Sequence, residues 1–338
     1  NHGGFFFVGN GGIVNTVLAE NNTATGDYGG AYPQGTNFIV EDSVFTGNIA
    51  NDQIGGLGLI NSTNGTVRNN EITNNICGRQ GGGLFINSNG ATVENNTITG
   101  NEAQNANGDG GGIFQSGGAT ILYQQNTVSG NTAGRNGGGI YFAGGSNPTS
   151  SQNLILENLA VERGGGVYLL SGNAVFSETV VADNTASLAG GGYFWDGANG
   201  TIAGDQKAGT FNTIARNEAN LGASIYYNRP SGQDLPAEFV CWGTVDGGEI
   251  TDSIFDFFDD GGFGFVFFVP FVDDPACAEL EDPCPADFDN NEVVDVNDLL
   301  VLLAAFGVTD EGDTNGDGVT DVTDLLRLLA DWGPCPTP

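Results

Sequence analysis

Asn131-Thr-Ala-Gly-Arg-Asn-Gly-Gly-Gly-Ile-Tyr-Phe142 is answered one period later by Asn158-Leu-Ala-Val-Glu-Arg-Gly-Gly-Gly-Val-Tyr-Leu169. Each copy opens on Asn, places Ala two residues on, then runs through a glycine cluster into a short apolar strand. Moving outward in both directions, the same Asn recurs at Asn22, Asn48, Asn75, Asn101, Asn131, Asn158, Asn184 and Asn217, at steps of 26, 27, 26, 30, 27, 26 and 33. Glycine clusters follow at Gly29-Gly30, Gly55-Gly56, Gly81 to Gly83, Gly110 to Gly112, Gly164 to Gly166 and Gly190 to Gly192. A second, alternating strand precedes many of the asparagines, as in Phe38-Ile-Val40, Ala91-Thr-Val93, Thr120-Ile-Leu122 and Ala174-Val-Phe176. A fixed period of this length is the mark of a solenoid, in which each turn stacks on the next at a strand spacing of ~4.8 Å. Identical positions then form ladders along the axis. An inward Asn can hydrogen-bond the backbone of the adjoining coil, and glycine permits the tight corners.

Composition sets the surroundings of such a rod. The chain of 338 residues carries a net charge of −33 with only eight Lys and Arg, so it repels nucleic acid and anionic membrane surfaces. Apolar residues still make up 39%, enough for a long core, and no apolar run reaches the length of a membrane span. Residues 1–30 lack a basic-apolar-small leader pattern, which suggests that Asn1 begins a mature chain or a truncated one. Five cysteines without a CxxC motif suggest two disulfides, Cys241 with Cys277 and Cys284 with Cys335. Cys77 is left over and reads as a small core residue. Triplets of the form Asn-x-Ser/Thr, at Asn21, Asn61, Asn64, Asn95 and Asn199, arise by composition in so Asn- and Thr-rich a chain and are a weak glycosylation signal.

The Gly-Gly-Gly-apolar-aromatic and Asn-x-Ala pattern over about 1–230 resembles right-handed parallel β-helix repeats, including those of polymorphic outer-membrane proteins and pectate-lyase-like folds. Phe239-Val-Cys-Trp-Gly-Thr244 and Ile250 to Phe271 resemble the terminal coil of extracellular members of that group. The resemblance implies a right-handed all-β solenoid over 1–272 with coils of about 27 residues, capped at its end. Asn1 to Val8 already reads as part of a coil, and an uncapped first coil could stack end to end on another copy as a filament.

Beyond an acidic linker at 273–283 the pattern changes. Asp313-Thr-Asn-Gly-Asp-Gly-Val-Thr-Asp-Val-Thr-Asp324 sets Asp313, Asn315, Asp317, Asp321 and Asp324 at positions 1, 3, 5, 9 and 12 of a calcium loop of EF-hand type, with Gly318 at the sharp bend and the Val319 carbonyl at position 7. A copy 26 positions upstream supplies Asp287, Asp289, Asn291, Val293, Asp295 and Asp298, with Glu292 in place of the glycine. Each loop runs into an apolar helical segment ended by glycine, Gly307 and Gly333. Two loop-plus-exiting-helix units over about 284–338 resemble a dockerin, a small all-α calcium module. The resemblance implies two calcium ions and a cohesin-like partner chosen through positions 10 and 11, here Val296, Asn297, Val322 and Thr323.

Many β-helix proteins cut polysaccharides, so catalytic groups were sought. The paired acids of a glycosidase are not evident in the coils. The only histidine is His2 and the only lysine Lys207, in an irregular insertion. Arg79, Arg135 and Arg163 share nearly the same turn and are the candidates for a lyase base, beside Asp109 or Glu162; a solvated or ion-paired corner is the alternative. Phe85, Phe114, Tyr141, Tyr168, Phe194 and Tyr226 fall in register. Their neighbours Leu84, Ile113, Ile140 and Val167 suit the core, which would turn the rings outward as a stacking strip for sugars; Gln115 on the core face leaves that phase open. The expectation is a secreted, cell-surface structural or adhesive rod, attached through its calcium module to a cohesin-like protein or to itself. The alternatives are a polysaccharide lyase, hydrolase or glycan-binding subunit on a cohesin scaffold, and a filament of stacked coils.

Overall fold

A computed structural model describes residues 3–116, 120–272, 286–288, 293–307, 309, 312, 314 and 319–335. The chain divides into two compact units, residues 1–278 and 279–338. The linker expected at 273–283 lies outside the described residues.

The first unit is a parallel β-solenoid. Each of the first eight coils gives one short strand to each of four sheets, called A to D here. Sheet A has ten strands, from Phe5–Val8 through Leu84–Asn89 and Tyr193–Asp196 to Ile254–Phe255. Sheets B, C and D have eight each and begin at Ile13–Asn15, Leu18–Glu20 and Thr23–Ala24. Every strand pairing in these four sheets is parallel, and the register shifts only after Asn87 and after Ala186, so Phe114 lies between Phe85 and Tyr141, and Val93 between Val67 and Tyr123. Strand alternation does the sorting. Leu84, Ile86, Ile113, Ile140 and Val167 of sheet A enter the lumen with Val67, Ile72, Val93 and Ile98 of sheets B and C. Gln115 shares that inward face, buried, and accepts a 2.9 Å hydrogen bond from the Tyr123 hydroxyl. The outward phase of the aromatic residues is thereby fixed.

The expected Asn ladder is present at the corner between sheets C and D. The Asn131 side-chain amide donates to Asn158 Oδ1 at 2.9 Å and to the Ile98 carbonyl at 2.9 Å, while its own oxygen accepts from the amide and backbone N–H of Asn101. The pattern repeats from Asn48 to Asn217. A second ladder, absent from the sequence reading, stands five residues earlier at the B–C corner: Asn70, Asn96, Asn126 and Asn153, linked at 2.9–3.0 Å. Ser43, Thr179 and Asn212 hold its outer positions. Every ladder residue but Asn212 follows a left-handed one, such as Asn69, Asn74, Asn95 and Gly100, with φ of 54–63°, where Asn and Gly are tolerated best.

The glycine clusters serve close approach. Gly110 has φ +67°, and a Cβ there would stand 2.5 Å from the Ile113 carbonyl and 2.9 Å from Phe114 Cβ. Residues 239–272 continue the solenoid as expected. Helix Gly247–Asp252, capped by Asp246, leads into Ile254–Phe255 on sheet A, and Val266–Phe267 pairs in parallel with Leu235–Pro236. The long step before Asn217 is an excursion closed by paired Asp205 and Thr210, with Lys207 at its tip.

The second unit contains helices Val296–Ala305 and Val322–Ala330. Val293–Val294 pairs antiparallel with Gly333–Pro334. Ala286, Val294, Leu302 and Leu328 form its small core.

Candidate functional site

The outward aromatics of sheet A form a continuous stack rather than a strip of open faces. Successive centroids from Phe85 to Phe114, Tyr141, Tyr168, Phe194, Tyr226 and Phe255 lie 4.7–5.2 Å apart, and interplanar angles are 1–18°. Strand spacing imposes this: rings one rung apart sit at stacking distance. Each inner ring covers its neighbours' faces, and Phe85 to Phe194 are 4–6% exposed. The rings do face away from the lumen, but their faces are consumed by one another, so the sugar-stacking role expected of them is not available along the stack.

The edges of the stack are covered by a ladder of turn residues that bridge coil to coil: Gln53, Gln80, Asp109, Asn136, Arg163 and Ala189. The Arg163 guanidinium lies over the Phe194 ring, 5.6 Å from its centroid, a cation–π arrangement. At the next rung Arg gives way to Ala189, and then to Leu221. One place earlier, Arg135 and Glu162 are followed by Leu188. The loss of long polar side chains opens a groove of about 660 Å³ over Phe194 and Tyr226. Its walls include Arg163, Asp196, Leu188 and Leu221. Asp196 is held in place, accepting from the Tyr168 hydroxyl at 2.6 Å and from the Asn228 amide at 2.8 Å. Burial pushes the Tyr168 hydroxyl well above its ordinary pKa, and the Asp196 charge adds to this. The sequence signal for the groove was present in the aligned turns, where Arg163 meets Ala189.

Two of the candidate lyase arginines, Arg79 and Arg135, are committed to carboxylates. Arg79 forms a two-point pair with Asp52, with Nη2 to Oδ2 at 2.7 Å, and Arg135 forms one with Asp109, with Nε to Oδ1 at 2.9 Å. Arg163 lies 3.4 Å from Glu162. Arg68 and Arg216 pair in the same way with Glu41 and Asp183. The hydrogen bonds they donate to Asp52 and Asp109 raise Arg79 and Arg135 above the usual guanidinium value, the opposite of what a base needs. These residues form an ion-paired corner. His2 lies outside the described residues.

In the second unit, Asp289, Asn291, Asp313, Asn315 and Asp317 lie outside the described residues. Of the remaining expected ligands, Asp298 and Asp324 are fully buried. Asp298 accepts from the backbone N–H of Phe288 and of Asp295, both at 2.8 Å. Asp324 accepts from Thr314 at 2.9 Å and Asp321 at 2.7 Å. Asp295 and Asp321 cap the helix starts, each completing a capping box. The two copies thus match position for position at a shift of 26, as Asp298 to Asp324 shows. Val293 and Val319 stand at the expected carbonyl positions, and Asp287 is nearly buried. Val296 and Val322 are each 56% exposed, with Asn297 and Thr323 exposed beside them.

Cys77 is a free thiol sealed in the coil among Ala24, Ala50 and Ala103. Cys241 and Cys335 are engaged; Cys277 and Cys284, expected to pair with them, lie outside the described residues. Among the described residues no helix is long and apolar enough to cross a membrane.

No curated protein and no solved structure matches the chain. The family model described as "Right handed beta helix region" matches residues 1–207. With more than half of the chain matched and the parallel coils laid out as above, the protein belongs to the right-handed β-helix family.

Proposed function

We propose that this protein is a non-catalytic extracellular rod, structural or adhesive, whose C-terminal dockerin-like unit binds two calcium ions and attaches it to another protein. The observation that carries the reading is the duplicated pair of buried carboxylates, Asp298 and Asp324, each tying the start of its loop to the start of its helix. A buried charge needs a counter-charge. In a calcium loop of this spacing the further oxygen ligands would be Asp287, Asp289, Asn291, Asp295 and the Val293 carbonyl in one copy, and Asp313, Asn315, Asp317, Asp321 and the Val319 carbonyl in the other. That donor set fits calcium, which takes six to eight oxygens. Bound calcium would neutralise these carboxylates and hold loop to helix.

Attachment is supported by the helix surfaces. Val296, Leu300 and Leu303 on one helix, and Val322, Leu326 and Leu329 on the other, are the same three positions, all apolar and more than half exposed. A duplicated apolar stripe beside Asn297 and Thr323 suits a partner of the cohesin-like kind. An outside location is supported by the engaged Cys241 and Cys335, which fit the Cys241–Cys277 and Cys284–Cys335 pairings. The ion-paired arginines weigh against a polysaccharide lyase. Calorimetric titration of the chelated chain with calcium is the test: two ions per chain are expected, one after Asp298→Asn, and none after Asp298→Asn with Asp324→Asn. Unchanged stoichiometry in the double variant would remove the calcium module from the proposal.

A further inference from the structure

From the groove at the end of the aromatic stack we infer that the solenoid carries a binding site for a small zwitterion with an apolar side chain, of the apolar α-amino acid class. The groove's volume, about 660 Å³, is that of a small-molecule site. Its character is mixed in a specific way. Leu188 and Leu221 are 44% and 45% exposed on its wall, and the Tyr226 ring, edged by Phe263 at 6.0 Å, forms an apolar bed.

Two opposite charges face this bed. Arg163 differs from the other paired arginines of the coils: Arg68, Arg79, Arg135 and Arg216 hold two-point carboxylate pairs, whereas Arg163 has a single contact to Glu162 at 3.4 Å. Its donors are spare for a carboxylate. Asp196 is fixed by Tyr168 and Asn228, and each of its oxygens retains lone-pair capacity for an ammonium group. Arg163 and Asp196 both line the groove, together with Phe194 and Tyr226.

The charge of the whole chain narrows the ligand. At −33 the protein repels free anions, and Arg163 beside Asp196 disfavours a simple cation. A molecule carrying both charges satisfies the two side chains and is indifferent to the net field, which salt screens beyond ~8 Å. Its carboxylate goes to Arg163, its ammonium to Asp196, and its side chain lies against Leu188, Leu221 and Phe263. No covalent step is involved.

The test is saturation-transfer NMR and calorimetry on the full chain with free phenylalanine, N-acetylphenylalanine and phenylalaninamide as probes. Phenylalanine is expected to bind, and each blocked analogue about 10-fold or more weaker, the scale of one charged hydrogen bond. Arg163→Gln should erase the advantage of phenylalanine over its amide, and Asp196→Asn its advantage over the N-acetyl form. Ala189→Arg, which restores the ladder's long side chain, should close the groove to all three while the far-ultraviolet circular dichroism stays that of the parent. Absence of binding, equal affinity for the three probes, or undiminished binding by Ala189→Arg would overturn the assignment.

Discussion

The solenoid and the C-terminal unit solve the same problem, the burial of polar groups, in opposite ways. In the solenoid the amides along a ladder are satisfied by the same residue one coil away, as Asn101 is by Asn131 and Asn131 by Asn158. Repetition supplies the partner, and the lumen adds an apolar column from Val14 to Val266. In the C-terminal unit the buried polar groups are carboxylates, Asp298 and Asp324, and the described core around them is only Ala286, Val294, Leu302 and Leu328. Domains of this size rarely stand on an apolar core alone. Stability that comes from neighbours is therefore distributed along the rod, whereas under the proposed function it would be concentrated in the small unit at two calcium sites.

The largest expected effect tests that division. Chelation should abolish amide protection throughout residues 286–335 and leave protection in sheets A to D unchanged, as read by hydrogen exchange. Loss of protection in both units together would merge them into one folding unit. Next in size is removal of a central ladder residue. Asn131→Ala strips Asn101 of the acceptor for two donors, so the solenoid should lose on the order of 3 kcal/mol in denaturant unfolding. Asn22→Ala removes the side-chain donor to Asn48 and keeps the backbone N–H that runs to the same oxygen, and should cost about 1 kcal/mol. Equal losses would mean that the ladder does not act through its acceptors.

A smaller effect separates two carboxylates within the rod. Burial raises the Asp109 carboxyl above its ordinary value, against the pull of Arg135, whereas the hydrogen bond from Arg79 lowers the half-exposed Asp52. The signs then oppose. Asp52 contributes stability above the unfolded carboxyl value, and this is lost as pH falls through its lower folded value. Asp109 favours its protonated form in the fold; its contribution is present below the unfolded value and is lost as pH rises through its higher folded one. Carbon-detected NMR titration should show Asp109 protonating at higher pH than Asp52; the reverse order would place the stronger ion pair at Asp109. The smallest effect is at Cys77. Burial pushes its thiol up to about 12, so it should resist maleimide in the folded chain and react only on unfolding. Cys77→Ala should change stability by less than about 1 kcal/mol, because Ala50 and Ala103 fill the same place in adjoining coils.

The period, the stacked coils and the inward Asn were legible because one residue type returns at one place; the four sheets of each coil were not. The second ladder was missed although Asn70, Asn96, Asn126, Asn153 and Asn212 each precede a ladder residue by five; serine and threonine at positions 43 and 179 broke its identity without breaking its hydrogen bonds. The aromatic register was read correctly, but register alone does not say that rings one rung apart close on each other's faces. The groove was invisible for a different reason. It is made by what one turn lacks, Ala189 after Arg163, and a search for conspicuous residues passes over a small one. The matched capping boxes of the C-terminal helices follow from the same aspartates that the loop spacing singled out.

The ladders also give the rod an electrical sense. Wherever two asparagines follow one another along a ladder, as from Asn70 to Asn126 and from Asn131 to Asn184, the amide of the earlier coil donates to the side-chain oxygen of the later one. The small dipoles add along the axis and polarise one another, with their positive end toward the later coils. The solenoid is thus a polar thread: a coil placed at one end must bring a donor, and a coil placed at the other must bring an acceptor.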